Sequence, residues 1–193
     1  MKYAAVLFDM DGTLTDSTHL YEEAYSVALR SIGVRLSHEE FEKLYATGFT
    51  LSKWLQILGQ DASHEPQVRE IRDREFVNKL ATEGNWRPSA EEVVRDITRI
   101  TPSAIITGAW KKYVDAISKR TKLTSYFQTI ITADDIGDRW KPDPHGLQLA
   151  VKALNVDPTS CVYIGDQRYD MQAARAAGMT GILVQGPHTT ADA

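Results

Sequence analysis

Five short apolar runs punctuate the chain, at positions 4–8, 104–106, 129–132, 162–164 and 181–184, each of strand length and carrying Val, Ile or Leu. Helical patterns separate the last four, which is the signature of a parallel sheet with crossover helices. About 95 residues lie between the first and second runs, far more than one crossover needs, so an inserted lobe is expected there. Its pattern is helical throughout. Leu20, Tyr21, Ala24, Val27, Ala28 and Leu29 recur at helical spacing. Ser37 with Glu40 forms a capping box ahead of Phe41, Leu44 and Tyr45. After a turn at Thr47-Gly48-Phe49-Thr50, Leu51, Trp54, Leu55 and Leu58 predict a third helix, and Val68, Ile71, Phe76 and Leu80 a fourth. Gly84-Asn85-Trp86-Arg87-Pro88 reads as the return linker, and a second capping box, Ser89 with Glu92, opens the crossover helix through Val93, Val94 and Ile97. The expected fold is α/β: a Rossmann-like three-layer core with a mainly parallel sheet, formed by 1–15 and 86–193, plus an inserted all-helical cap at 16–85. The tail at 186–193 reads as frayed.

Composition narrows the function classes. With 193 residues, 42% apolar and 25% charged, the chain is an ordinary globular protein rather than a disordered or disulfide-held one. The net charge of -4 provides no overall basic field for a nucleic-acid backbone or an anionic membrane, so neither is an expected partner. Cys161 stands alone in an apolar stretch and reads as a packing residue, which fits a cytoplasmic location. The five histidines show no metal-ligand spacing, and Trp54, Trp86 and Trp110 read as helix-packing residues.

Chemistry concentrates at the carboxyl ends of the apolar runs, the edge where open α/β sheets bind ligands. The first run leads into Asp9-Met10-Asp11-Gly12-Thr13-Leu14-Thr15-Asp16, which places three carboxylates there. Thr107-Gly108 follows the second run and precedes a helix, so the hydroxyl and the helix's first N–H groups are expected to face an anion. Lys141-Pro142-Asp143-Pro144 follows the third, a stiff loop from which Lys141 can project a point charge toward a phosphate. The fourth leads into Gly165-Asp166-Gln167-Arg168-Tyr169-Asp170, adding two carboxylates at the same edge, although Asp170 can also serve as a helix cap. Carboxylates crowded together repel one another, and a hard cation with oxygen ligands, Mg2+ above all, resolves that repulsion.

These four stretches, in order and completed by Ala173-Ala174-Arg175-Ala176-Ala177-Gly178-Met179, resemble the haloacid dehalogenase-like superfamily in its subgroup with a helical cap after the first strand. Within it the chain looks most similar to the phosphoglycolate phosphatase and β-phosphoglucomutase relatives. The resemblance implies a Mg2+-dependent phosphatase acting on a small phosphorylated metabolite. Asp9 would be the nucleophile that becomes an aspartyl phosphate and Asp11 the general acid/base. Lys141, Thr107 and Gly108 would bind the phosphate, and Lys141 would count among the catalytic groups. The metal would be held by Asp9, the Asp11 carbonyl and Asp166, with Asp170 orienting the site from behind. The cap loop near Thr47, Gly48 and Phe49 is the expected substrate-facing segment.

A dehalogenase is disfavoured, since halide leaves without a proton and Asp11 is present. A mutase, or a non-catalytic module that binds a phosphorylated metabolite, remains as an alternative; the expected state is monomer or homodimer. The chain departs from its relatives at Gln167, where they usually carry Ser, at the bulky Trp140, and at Arg87-Pro88-Ser89, which lacks the expected glycine. Arg168 has no assigned role.

Overall fold

Alternation along the first strand sets the layers. The computed structural model describes residues 2–185, so the tail at 186–193, with His188, lies outside the described residues. In β1 (Ala5–Phe8), Ala5 and Leu7 face one side and Val6 and Phe8 the other, and all four are buried. The remaining strands are β2 (Ser103–Ile106), β3 (Thr129–Ile131), β4 (Cys161–Gly165) and β5 (Thr180–Leu183), so each of the five apolar runs is a strand within one residue at either end. They form a single parallel sheet in the order β3-β2-β1-β4-β5. β1 is central, and the connections pass to one side of it and then to the other. This reversal opens a crevice at the carboxyl ends of β1, β2 and β4.

The helices in order are α1 (Thr18–Arg30), α2 (His38–Ala46), α3 (Leu51–Ile57), α4 (Glu65–Glu83), α5 (Ala90–Thr98), α6 (Lys111–Thr121), α7 (Ala133–Ile136), α8 (His145–Leu154) and α9 (Arg168–Ala176). On one face of the sheet Val6, Phe8, Ile105 and Val162 pack with Val114 and Ile117 of α6. On the other, Leu7, Ile106 and Tyr163 pack with Leu147 and Val151 of α8 and Ala173 and Ala174 of α9. The result is the three-layer α/β core that the apolar pattern predicts. Cys161 is buried in the second cluster, as a packing residue would be.

The insert between β1 and α5 holds four α-helices and a short 3-10 turn at Ala62–His64. α1 and α4 run side by side, and their Leu20, Ala24, Phe76 and Leu80 join the sheet-facing cluster with α6. Farther out, Tyr25, Phe41, Trp54, Leu55 and Val68 form a second, separate cluster. The buried positions of α4 are Val68, Arg72, Phe76 and Leu80. These fall at every fourth residue, so one row of a helix expected to bury Ile71 buries a guanidinium instead. Asp73 ties α4 to α6. It accepts from Arg72, from Lys112 Nζ at 2.5 Å and from the Tyr113 hydroxyl at 2.7 Å. Burial pushes the Asp73 carboxyl up, but the bonds from Lys112, Tyr113 and Arg72 outweigh it and hold it below the ordinary carboxylate range.

Two linkers join insert and core, and they pair with one another. Thr15 and Trp86 form an antiparallel bridge, and Arg87 N–H donates to the Leu14 carbonyl at 2.8 Å. The capping box expected at Ser89 and Glu92 is not formed. Ser89 has φ 64°, in the left-handed region, and its side chain makes no cap bond. A capping side chain reaches the third amide from an extended backbone, which Ser37 has and Ser89 lacks. The expectation for Trp110 is also corrected. It is 41% exposed beside the crevice rather than packed between helices, because it stands at the N-cap of α6, before the buried face begins. Trp54 is buried as expected, and the Trp86 indole donates to the Thr121 carbonyl at 3.1 Å.

Two stability effects of opposite sign follow. Ser89→Gly relieves a left-handed backbone that costs a side chain roughly 1–2 kcal/mol, against about 0.5–1 kcal/mol for the added freedom of glycine, and should raise Tm by roughly 2 °C. Ser37→Ala, which breaks an intact capping box, should lower stability by about 1 kcal/mol. Thermal melts of both variants check the pair; a lower Tm in Ser89→Gly would show that the left-handed turn is not strained. Asp73 supplies a pH test. Its depressed pKa contributes stability that is present above the unfolded-chain value and lost as pH falls through the folded value. Asp73→Asn should therefore be less stable than wild type at pH 7, with the gap closing in urea titrations as pH drops below the carboxylate range.

Candidate active site

Burying an ammonium requires that each of its protons find an acceptor, and Lys141 meets that condition. Its Nζ donates to Asp9 Oδ1 at 2.5 Å, Asp170 Oδ1 at 2.7 Å and the Tyr163 hydroxyl at 3.0 Å. Burial pulls the Lys141 pKa down, but Asp9, Tyr163 and Asp170 more than reverse it and leave the ammonium firmly charged. Lys141 comes from the loop after α7, Asp9 from the end of β1, Tyr163 from β4 and Asp170 from α9, so four segments meet on one nitrogen.

Asp9 follows β1 directly, and its N–H donates to the Ile164 carbonyl, which continues the ladder with β4 by one residue. Burial dominates its carboxyl; Lys141 opposes that effect while Asp170 and Asp11 reinforce it, and the pKa is pushed up to about 7. Asp11 lies in the turn beyond, where Oδ1 accepts from the Ser17 hydroxyl at 2.5 Å and Oδ2 from Thr107 at 3.4 Å. Burial also raises Asp11, only partly offset by the Ser17 bond and Lys141. Asp166, at the end of β4, accepts from Thr13 at 3.2 Å and from the Gln167 amide at 2.6 Å. Burial raises its pKa as well. The residue that departs from the relatives thus holds a site carboxylate through its side chain.

Glycine permits these approaches at two points. Gly12 has φ 84°, and a Cβ there would fall 2.5 Å from Asp166 Oδ2; one on Gly165 would fall 2.6 Å from the Asp170 side chain. Asp170 also accepts from the Gln167 N–H at 3.0 Å, so it caps α9 and holds Lys141 at once. The helix-cap reading of Asp170 is met.

Thr107 is placed differently from expectation. α6 begins at Lys111, so Thr107 is not at the helix end; its Oγ1 accepts from the Ala109 N–H at 2.9 Å in the loop and donates to Asp11. Gly108 lines the same crevice, a cavity of about 690 Å³. Asp9, Asp11, Thr107, Lys141 and Asp166 border it from the core, and Tyr21, Tyr45, Arg69, Arg72 and Phe76 from the insert. Of the expected cap loop only Gly48 borders the cavity. The Thr47 hydroxyl turns back to the Leu44 carbonyl at 2.6 Å and accepts the Phe49 N–H, and Phe49 is 50% exposed. Arg168 lies on the exposed start of α9, outside the lining.

Sequence reasoning missed Tyr163, Ser17 and Arg72. Tyr163 and Arg72 carry a local signal, a polar group inside an apolar run and a charge inside an apolar helical row. Ser17 carries none beyond its nearness to Asp11.

Asp9, Asp166 and Asp170 are buried, and each offers one carboxylate oxygen within 4.8 Å of the others. These three buried carboxylates and the half-buried Asp11 surround the single ammonium of Lys141, an all-oxygen and net negative donor set that fits a hard divalent cation such as Mg2+. Among the described residues no helix is long and apolar enough to cross a membrane.

Comparison with known proteins places this arrangement. A family described as haloacid dehalogenase-like hydrolase matches residues 3–178. The chain is 27% identical over 185 residues to the fructose-1-phosphate phosphatase YqaB of Escherichia coli, covering 95% of this chain and 97% of that one. It is 27% identical over 201 residues to a phosphoglycolate phosphatase of Shigella boydii, covering 92% and 79% respectively. A HAD hydrolase of family IA, variant 3, from Entamoeba histolytica superposes with a TM-score of 0.80 at 25% identity, covering 97% of this chain and 86% of that one. The chain belongs to the haloacid dehalogenase-like hydrolase family and is a phosphatase-type enzyme of it.

Proposed function

We propose that the enzyme hydrolyses a small phosphate monoester through a phosphorylated Asp9. The observation that carries this reading is the pairing of two carboxylates with different partners at one crevice: the buried Asp9 on the Lys141 ammonium and the half-buried Asp11 on two hydroxyls. Lys141, bonded directly to Asp9, works against the burial that raises it and so favours the ionised form that a nucleophile needs, while burial raises Asp11, whose direct partners are two hydroxyls, and favours the protonated form that a general acid needs.

In the first half-reaction an Asp9 carboxylate oxygen attacks phosphorus and the bond to the ester oxygen breaks. The leaving oxygen takes the Asp11 proton. In the second half, Asp11, now ionised, takes a proton from a water whose oxygen attacks the same phosphorus. The bond to Asp9 then breaks, inorganic phosphate departs and both carboxyl groups are restored. Lys141 holds Asp9 oriented and offsets its charge as the anionic substrate arrives, and Thr107 and Gly108 border the phosphate position. Mg2+ would be held by carboxylate oxygens of Asp9 and Asp166 and by the Asp11 carbonyl, with Asp170 behind them, and would supply charge neutralisation on the phosphoryl oxygens. Segments 1–15 and 86–193 form the catalytic core and 16–85 the cap in this reading; the bridge between Thr15 and Trp86, which joins the two linkers, supports that division.

Release of inorganic phosphate from a panel of monoesters, with Mg2+ and with EDTA, tests the reading. Wild type should turn over only with the metal, and Asp9→Asn should lose about a thousandfold or more in kcat. Metal-independent release, or full activity in Asp9→Asn, would sink the mechanism. Exchange of phosphate between sugar hydroxyls without release would favour a mutase. Tyr163→Phe removes one of the three Lys141 acceptors and should lower kcat by about tenfold. Lys141→Met leaves Asp9 and Asp170 without their cation and should cost far more. Equal effects of the two on kcat would argue against Lys141 as the organising charge.

A further inference from the structure

Trp110, Trp140 and Tyr169 stand beside the residues that surround the phosphoryl position, yet they are 41, 42 and 44% exposed. Trp110 is the N-cap of α6, three residues after Thr107; Trp140 directly precedes Lys141, and Tyr169 directly precedes Asp170. Each borders the crevice from the core side. A single exposed ring is ordinary on a protein surface, but several gathered round one cavity mark a binding surface. Two of the three are held in place. The six-membered ring of Trp140 lies 3.9 Å from where a Cβ on Gly108 would stand, so it rests on that glycine. The Tyr169 ring has the Lys141 ammonium 5.5 Å from its centre. Rings already fixed lose little further freedom when a ligand covers them.

The charges around the same cavity are engaged elsewhere. Lys141 is bonded to Asp9, Asp170 and Tyr163, and Arg69 pairs with Glu65. Arg72 is held by Asp73, Tyr25 and Tyr113. Glu42, on the same border, groups with Glu22 and His38, a set that stays net negative even with His38 protonated. The insert also contributes rings: Tyr21 and Phe76 border the cavity and pack together with centres 4.8 Å apart. Beyond the phosphoryl position the cavity therefore offers aromatic surface, with its cations already paired.

We infer that the leaving group of the substrate carries an uncharged planar ring, a nucleobase or another aromatic ring, which stacks on the wall made by Trp110, Trp140 and Tyr169. This rests on the phosphatase reading and deepens it by naming the substrate class: esters whose alcohol bears a flat ring rather than short acids or polyols. A planar ring lies against an indole or phenol face without gaps, and such a stack is worth about tenfold or more in affinity. A hydrated polyol gains much less there. The cavity of about 690 Å³ is large enough to enclose a ring of that kind together with its phosphoryl group.

Matched esters that share a primary reacting alcohol test it: uridine 5′-monophosphate against ribose 5-phosphate, and benzyl phosphate against cyclohexylmethyl phosphate. The first pair adds a nucleobase, and the second exchanges a flat ring for a puckered one of like size. Wild type with Mg2+ should show a kcat/KM about tenfold or more higher for the planar member of at least one pair, carried mainly by KM. A response in the first pair alone identifies a nucleobase; a response in the second shows that an aromatic ring suffices. Trp110→Leu and Trp140→Leu keep apolar bulk but remove the flat face, and the ratio should fall about threefold or more in at least one of them. A general disturbance of Lys141 would slow both members of a pair alike and leave the ratio as it was. No planar preference in wild type, or a ratio unchanged in both variants, overturns the inference, while phosphate release from any ester keeps the phosphatase reading standing. Binding of the same four esters to Asp9→Asn protein with Mg2+, followed by calorimetry, gives the answer apart from turnover. Tenfold tighter binding of a planar member that is lost in the Asp9→Asn, Trp140→Leu double variant supports the aromatic wall even if no ester is hydrolysed; equal binding within both pairs removes it.

Discussion

The site depends on one buried ammonium. Asp9, Asp166 and Asp170 lie close enough for their oxygens to share a metal, and without a cation their mutual repulsion would open the strand ends. Lys141 spends its three protons on Asp9, Asp170 and Tyr163, which come from three different segments of the sheet and its crossovers. Its charge makes the crowding tolerable, and its hydrogen bonds fix the spacing. One ammonium against four carboxylates still leaves the site negative, so the same arrangement that holds the fold together at this edge has the charge and the oxygen donors that suit a divalent cation.

Close approach is the second constraint, and it reaches outward to the linkers. Gly12 lies against Asp166 with no space for a Cβ, so the turn after Asp9 and the end of β4 are locked in contact. The Arg87 guanidinium donates to the Gly12 carbonyl and, at 2.8 Å, to the Gln185 carbonyl beyond β5. The return linker from the insert is thereby bonded to the turn that carries Asp11, and the bridge between Thr15 and Trp86 joins both linkers. A change in the angle of the insert has to pass through these bonds, which couple its position to that of Asp11.

α4 mediates between the two halves. Phe76 and Leu80 bury against the sheet-side cluster, Val68 against the outer one, and Arg72 between them stays charged. Asp73 ties the same helix to Lys112 and Tyr113 of α6, so the element that brings a cation to the crevice is anchored to the core by the carboxylate beside that cation. Packing against the core and access to the crevice thus use neighbouring residues on one helix.

Much of this was legible in the amino-acid order. The apolar runs marked all five strands because a sheet covered by helices needs continuous apolar segments, and Asp9, Asp11, Thr107, Lys141 and Asp166 line the crevice because strand ends gather there, whereas Asp16, also expected at that edge, is exposed outside the lining beside His19. The capping box at Ser37 was readable because a cap is a local bond between residues three apart. The similar pattern at Ser89 failed because the linker geometry, not the local sequence, sets its backbone. Tyr163, Ser17 and Arg72 became functional candidates only in three dimensions. Tyr163 meets Lys141 across the sheet, and Arg72 shares one carboxylate with a lysine from another helix. The sequence by itself determined which residues could do chemistry and on which edge they would gather, since strand ends and periodicity are local properties. Which carboxylate took the lysine, which took only hydroxyls, and which arginine was buried on a tyrosine and a shared carboxylate were decided by tertiary structure alone, because each depends on partners distant in the chain brought into hydrogen-bond contact.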